Sequence, residues 1–259
     1  MKASEIEIKR EFIKTGIHSL DLLLGGGIEL GCISEFYGLS SVGKSSLALQ
    51  VIAAAQKEKR PCLFSDTEYQ FTPQYAALLG VDNDSLDLTR LRLAEDTFDA
   101  IEAWVKNNKG GIAVLDSIGG ALPREEAEKP AEGRTIGLQS RLLAAFCRKM
   151  IGLLDENKCA LLVVNHEVTN INTGAIGSSG GAKLSFHKRY SIRFRPLFGK
   201  QASKTADGSK RVKYLEGEVK KEKGMDTKEG MKAEFIFESG KGFVNEATEV
   251  KRGRKPVNV

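Results

Sequence analysis

The stretch "GLSSVGKS", Gly38 to Ser45, decides how the rest of the chain is read. It fits G-x-x-x-x-G-K-[ST] in full. "CISEFYG" before it reads as a strand, and "KSSLALQVIAAAQKEK" after it (Lys44 to Lys59) reads as a helix with an apolar stripe. A strand, a glycine turn and a helix form the context that this motif requires. Gly38 and Gly43 permit a turn whose backbone N–H groups face inward and hold phosphate oxygens. Leu39, Ser40, Ser41 and Val42 complete that cradle, and the helix from Lys44, with Ser46 in its first turn, adds its positive end. Lys44 supplies a point charge for the β- and γ-phosphates, and Ser45 a hydroxyl for Mg²⁺. A glycine turn that merely precedes a helix would leave Lys44-Ser45 unexplained.

Working outward, strands and helices alternate. "GIHSLDLLLGGG" predicts a short helix stopped by Gly25 to Gly27. "PCLFSDTE" is strand-like, "PQYAALLG" predicts a helix ended by Gly80, and "TFDAIEAWVKNNKGG" an amphipathic helix with a glycine stop. "IAVLDS" and "CALLVVN" are short, continuous apolar runs of the kind buried on both faces, separated by a long helical pattern from Gly137 to Lys158. This order predicts an α/β fold with a mostly parallel central sheet flanked by helices. After Arg195, "KRVKYLEGEVKK", "KAEFIFES" and "KGFVNE" predict antiparallel strands that finish the sheet. The chain divides into an N-terminal segment, 1–12, a core, 13–248, and a basic tail, 249–259, expected to be disordered.

Bulk properties set limits. The 259 residues are 41% hydrophobic and 28% charged, a globular rather than disordered composition. There is no apolar run of eighteen residues and no secretory h-region at "MKASEIEIKREF", so a cytoplasmic protein is expected. The four cysteines have no C-x-x-C spacing and read as reduced, without a zinc site. The formal charge of +5 is mild, but lysine and arginine concentrate between Lys183 and Lys232 and in "KRGRKP", a distribution compatible with nucleic acid or with an ordinary solvated face.

A phosphate cradle needs carboxylates. Asp116 ends a buried strand, where ligands of such sheets bind, and is the candidate second metal ligand; a helix cap is the bland alternative. "FSDTE" ends another strand, with Glu68 the candidate base that orients water and Asp66 the alternative. "NINTGAIGSSGGAK", Asn170 to Lys183, is a glycine-rich loop between an apolar strand and a basic-aromatic run. It reads either as a surface loop or as a segment that orders on a partner.

The chain resembles the RecA family of recombinases. "GGGIELGCISEFYGLSSVGKSSLALQVIAAAQ", "DTEYQFTPQYAALLGVD", "VLDSIGGALPREE" and "GLQSRLLAAFCRKM" match its segments in order, and the match runs from about Ile13 to about Phe243. The resemblance implies a RecA-type ATPase core and an ATP- and Mg²⁺-dependent recombinase. Such a protein binds single-stranded DNA as a helical filament and pairs it with double-stranded DNA. The glycine loop would then touch DNA through Asn172, Gly174, Ile176, Gly177, Gly180, Gly181 and Lys183. A second DNA loop maps to roughly Glu126 to Gly137, with Arg134 and Ile136 as contacts and Arg141 and Arg148 on the helix after it. Tyr75 falls where the family stacks an aromatic on adenine; alone it reads as an ordinary helix-start aromatic. Lys221 and Lys223 are candidates for lysines that reach a neighbour's ATP.

Departures accompany the match. His166, in "VVNHE", stands where bacterial members have glutamine as a γ-phosphate sensor; phage UvsX-like recombinases are similar in having "NH". Against the family pattern, neither a long N-terminal helix nor a large C-terminal domain is expected, and "EIEI" (Glu5 to Ile8) is a candidate strand for a neighbour's sheet. Two other functions fit the same motifs, a non-catalytic paralogue that acts as a mediator and a ring-forming helicase-type ATPase.

Overall fold

The structure, a computed structural model, describes residues 9–128, 137–169, 174–179, 184, 186–200, 203–204, 208, 211–223, 228–245 and 251–252. Phe12–Ile13 (β1) pairs antiparallel with Ile28–Glu29 (β2). Between them His18–Leu24 (α1) stops at Gly25, which takes the left-handed conformation. Ile33–Gly38 (β3) is buried throughout and leads into the phosphate loop and Lys44–Lys57 (α2). Then come Cys62–Asp66 (β4), Pro73–Leu78 (α3), Leu86–Thr89 (β5), Ala94–Asn107 (α4), Ile112–Asp116 (β6), Arg124–Ala127 (α5), Leu138–Asn157 (α6) and Ala160–Thr169 (β7). The remaining strands are Ile176–Ser178 (β8), Tyr190–Pro196 (β9), Ser203–Lys204 (β10), Arg211–Glu222 (β11), Met231–Glu238 (β12), Gly242–Val244 (β13) and Lys251–Arg252 (β14).

The main sheet runs β13-β12-β11-β9-β3-β7-β6-β4-β5. From β9 to β5 every neighbour is parallel; from β9 to β13 every neighbour is antiparallel. The expected α/β architecture is therefore present, with the antiparallel strands on the C-terminal side. Its two faces are covered by separate apolar layers. One holds Leu20, Leu47, Ile52, Phe36 and Phe194 beneath α1 and α2. The other holds Ile101, Val105, Phe146 and Met150 of α4 and α6 against Leu115, Leu161 and Val163. β6 and the first half of β7 are sandwiched between these layers, which is why they read as unbroken apolar runs rather than as alternation.

Several elements differ from expectation for identifiable reasons. Helix α2 is buried nearly all round, not along one stripe, because β13 closes over it: Gln50 exchanges two hydrogen bonds with the Phe243 backbone, at 2.9 and 2.7 Å. β5 was not legible; "LDLT" lies at the sheet's edge, half exposed, and lacks the apolar density of its neighbours. β7 is longer than "CALLVVN" because its end turns into a hairpin, pairing Glu167–Thr169 with β8. Part of the glycine loop is thus a two-stranded ribbon. Phe12 pairs with Glu29 within the chain, and Lys251–Arg252 pairs with β12, whereas Glu5 to Ile8 and the rest of the tail lie outside the described residues.

Candidate active site

The carboxyl ends of β3, β4, β6 and β7 converge on one cleft of about 340 Å³, lined among others by Lys44, Ser45, Glu68, Asp116 and His166. Two glycines make its floor possible. A Cβ on Gly38 would lie 2.1 Å from the carbonyl oxygen of Phe194 on β9, so only glycine lets the neighbouring strand come this close. Gly43 caps α2 at φ 87, a left-handed conformation that other residues resist. Lys44 folds back over the turn, its Nζ donating to the carbonyls of Gly38 (3.1 Å) and Leu39 (2.7 Å). Burial pushes its pKa down, and the nearby Asp116, Glu68 and Glu167 carboxylates oppose that.

Ser45 and Asp116 meet across the cleft, the serine hydroxyl hydrogen-bonding to the carboxylate. Burial, with Glu68 and Asp66 adding to it, pushes Asp116 up to about 6 against the pull of Ser45 and Lys44. The donor set is oxygen only, hydroxyl and carboxylate, as a hard divalent cation such as Mg²⁺ takes, with water and phosphate oxygens completing the shell. The residues present therefore fit a phosphate chain with Mg²⁺. The Asp116-Ser117 peptide is cis.

Glu68, the candidate base, and Asp66, its alternative, have different partners. Asp66 is locked: it accepts from the amides of Gln70 (3.0 Å) and Phe71 (2.9 Å) and pairs with Arg90 (3.0 Å). Glu68 faces the cleft and accepts from Ser117 Oγ, while His166 Nε2 lies 2.9 Å from its carboxylate. Burial works to raise its pKa, but the bonds from Ser117 and His166 and the charge of Lys44 hold it below the usual carboxylate range. Glu68 is ionised at neutral pH and sits where a water could be oriented.

Side chains with no sequence signature complete the cleft. Thr67 Oγ1 accepts from the Ser117 amide (3.0 Å) and donates to the Ser117 carbonyl (2.6 Å), stitching β4 to β6 beside Asp116. Lys213, on β11, donates to the Ser41 carbonyl (3.0 Å) and sits over Phe237, so the antiparallel strands supply one wall. Ser117 was one residue from a motif; Lys213 comes from far along the chain, and only its strand pairing brings it here. Tyr75 hydroxyl lies 2.7 Å from Ser46 Oγ, beside the start of α2, with its ring partly in the core.

The residues expected to touch DNA divide. Arg134, Ile136, Asn172, Gly180, Gly181 and Lys183 lie outside the described residues. Gly174, Ile176 and Gly177 lie on the hairpin, and Ile176 is half exposed. Arg141 and Arg148 are exposed on α6. Lys221 and Lys223 do not line this chain's own cleft: Lys221 Nζ is 5.8 Å from the centre of the exposed Phe186 ring, and Lys223 bonds to the Phe186 carbonyl. Burial and the charges of Arg148, Lys223 and Lys221 lower the pKa of His187. The two lysines and Arg148 therefore share one basic patch.

A glycine loop opening a buried helix, with carboxylates on the two strand ends beside it, defines a phosphate-loop nucleotide-binding α/β protein. Within that class the chain belongs to the RecA family. The family profile described as the RecA N-terminal domain matches residues 1–232. Protein RecA of Clostridium acetobutylicum is 33% identical over 225 residues, covering 85% of this chain and 64% of that protein. Protein RecA of Clostridium novyi is 35% identical over 214 residues, 81% of this chain and 61% of that one. Protein RecA of Sulfurimonas denitrificans is 30% identical over 269 residues, 95% and 78%. The chain spans less than two thirds of the length of the two clostridial relatives it matches.

Proposed function

We propose that the chain is an ATP-dependent DNA recombinase that binds single-stranded DNA as a filament and promotes pairing with double-stranded DNA. The observation that carries this reading is the contact between His166 and Glu68. It joins the candidate hydrolytic carboxylate to the very strand that becomes the glycine hairpin. Lys44 and the loop amides hold the phosphates, and Ser45 and Asp116 would hold Mg²⁺, which when bound would neutralise phosphate charge. Glu68 orients the attacking water and accepts its proton. His166 exchanges its bond to Glu68 for one to the terminal phosphate, and so reports whether that phosphate is present.

At the other end, the hairpin approaches the DNA backbone through Gly174 and Gly177, with the half-exposed Ile176 placed to contact bases. Arg141 and Arg148 hold phosphates from α6, and Lys221 and Lys223 lie on the same patch as Arg148, in reach of a neighbouring copy or of the same strand. No helix among the described residues is long and apolar enough to cross a membrane, in keeping with work on DNA in the cytoplasm or its nucleoid. The histidine in the sensor position favours kinship with phage recombinases.

The test is ATP hydrolysis with and without single-stranded DNA, at low and raised salt, with Lys44→Ala as control. DNA should stimulate hydrolysis, raised salt should weaken the stimulation, and Lys44→Ala should abolish it. Hydrolysis indifferent to DNA would remove the link between cleft and hairpin.

A further inference from the structure

A buried charged cluster lies on the route between the cleft and the hairpin, outside the residues discussed so far. Its hub is Glu35 on β3, three residues before Gly38, with a side chain that is 0% exposed. Lys188, 5% exposed and just before β9, donates to Glu35 Oε2, as does Ser191 Oγ at 2.7 Å. Asn165 Nδ2 donates to Glu35 Oε1 at 2.9 Å and to the Ser179 carbonyl at 2.8 Å. Lys188 Nζ also reaches Ser178 Oγ at 3.3 Å.

These bonds meet at His166. Its amide donates to Asn165 Oδ1 at 2.8 Å, and its carbonyl accepts from the Ser179 amide at 3.0 Å. The backbone of the residue whose ring touches Glu68 is therefore clamped on both sides by groups that also hold the hairpin. Ser178 and Ser179 mark where the hairpin returns, Asn165 where it leaves, and Lys188 where the chain re-enters the sheet. One carboxylate on the strand that feeds the phosphate loop gathers all of these points.

An ion pair this deep is not needed for stability alone, because well-packed apolar residues in its place are often neutral or better. A fully bonded network does fix geometry, since moving one member leaves others unpaired in a dry interior. We propose that Glu35, Asn165 and Lys188 are positioning residues of a buried relay. The relay keeps the hairpin in register with His166 and sets how strongly nucleotide in the cleft and nucleic acid on the hairpin favour each other. A shift of the His166 ring from Glu68 to a phosphate drags its amide and carbonyl. Through Asn165 and Ser179 that displacement arrives at Ser178 and the hairpin. By linkage the same bonds carry the effect of DNA back to the cleft. This inference rests on the recombinase reading for its DNA half, while its nucleotide half stands without DNA.

The test uses the full chain and two replacements, Asn165→Ala and the paired Glu35→Gln/Lys188→Met, which leaves no unpaired charge. The first readout is the ratio of affinities for a labelled oligothymidylate with Mg²⁺ and a slowly hydrolysed ATP analogue against Mg²⁺ and ADP. The second is amide hydrogen exchange at Ser179 with and without the analogue, in the absence of DNA. The relay predicts that the affinity ratio falls about tenfold or more toward unity, and that the nucleotide response of the Ser179 amide disappears. Analogue affinity without DNA should stay within about twofold of the parent. Variants that keep both the ratio and the exchange response overturn the proposal. Should the parent show no nucleotide-linked DNA affinity, the recombinase reading fails, and the exchange experiment alone decides the relay. Should either replacement fail to fold by circular dichroism, Ser178→Ala decides in its place: an unaltered exchange response overturns the relay, and a weakened one supports it.

Discussion

Thr67 offers a demanding test of how the cleft is held. Its side chain is buried, and the hydroxyl makes two bonds to the Ser117 backbone, accepting from the amide at 3.0 Å and donating to the carbonyl at 2.6 Å. Thr67→Val keeps the shape and removes both. A buried amide left without a partner costs about 1–3 kcal/mol, and loss of the second bond about 1 kcal/mol more, so the replacement should destabilise by about 2–4 kcal/mol. That is a large fraction of the ~5–15 kcal/mol typical of a folded chain. Ser117 also donates to Glu68, and Asp116 precedes it, so slack here reaches both carboxylates. Hydrolysis should fall about tenfold to a hundredfold, the scale set by misplacing catalytic groups by around an ångström. Thr67→Ser retains the hydroxyl and loses one methyl, about 1 kcal/mol. Urea unfolding of the ligand-free chain, read with turnover, measures both effects. If Thr67→Val unfolds within about 0.5 kcal/mol of the parent, or if Thr67→Ser is equally damaging, the stitching argument is refuted.

Asp116, held up to about 6 by burial, should give the metal-dependent part of nucleotide affinity a pH dependence. Protonation of this group favours the ligand-free fold below its ordinary value of 3.8 and is lost as pH rises through about 6. Metal requires the ionised form. Affinity should therefore climb by up to about tenfold per pH unit below 6 and flatten above neutrality; Asp116→Asn should abolish the dependence, and equal metal-dependent affinity at low and neutral pH would contradict it. Glu167 and Arg193 form a two-bond pair at 2.7 and 3.0 Å, with side chains only 8% and 15% exposed. Arg193→Met should cost about 3–5 kcal/mol by leaving Glu167 buried and unpaired, whereas Arg193→Met with Glu167→Leu should recover most of it. Chemical denaturation of the single and double variants checks this, and a double variant no better than the single would count against it.

The sequence by itself determined the parallel core and the phosphate loop. Both are local: "IAVLDS" and "CALLVVN" are apolar without alternation because both faces are covered, and Gly38, Gly43, Lys44 and Ser45 fall within eight consecutive residues. It also placed Asp116 and Glu68, because ligands of such sheets gather at strand ends. Tertiary structure alone decided what those groups touch. That Asp66, the alternative to Glu68, is held by Arg90 and by two loop amides was not visible in the chain. Thr67 braces Ser117 from fifty positions away, and Lys213 enters the cleft from β11; neither contact leaves a trace in spacing. The Glu35–Lys188 pair spans 153 positions and looks, along the chain, like two ordinary charges. A buried charge is identified only by the partners folded around it, and those come from strands whose order in the sheet, β9-β3-β7, differs from their order in the sequence. Short-range pattern records which residues must be buried; long-range pairing decides which of them meet.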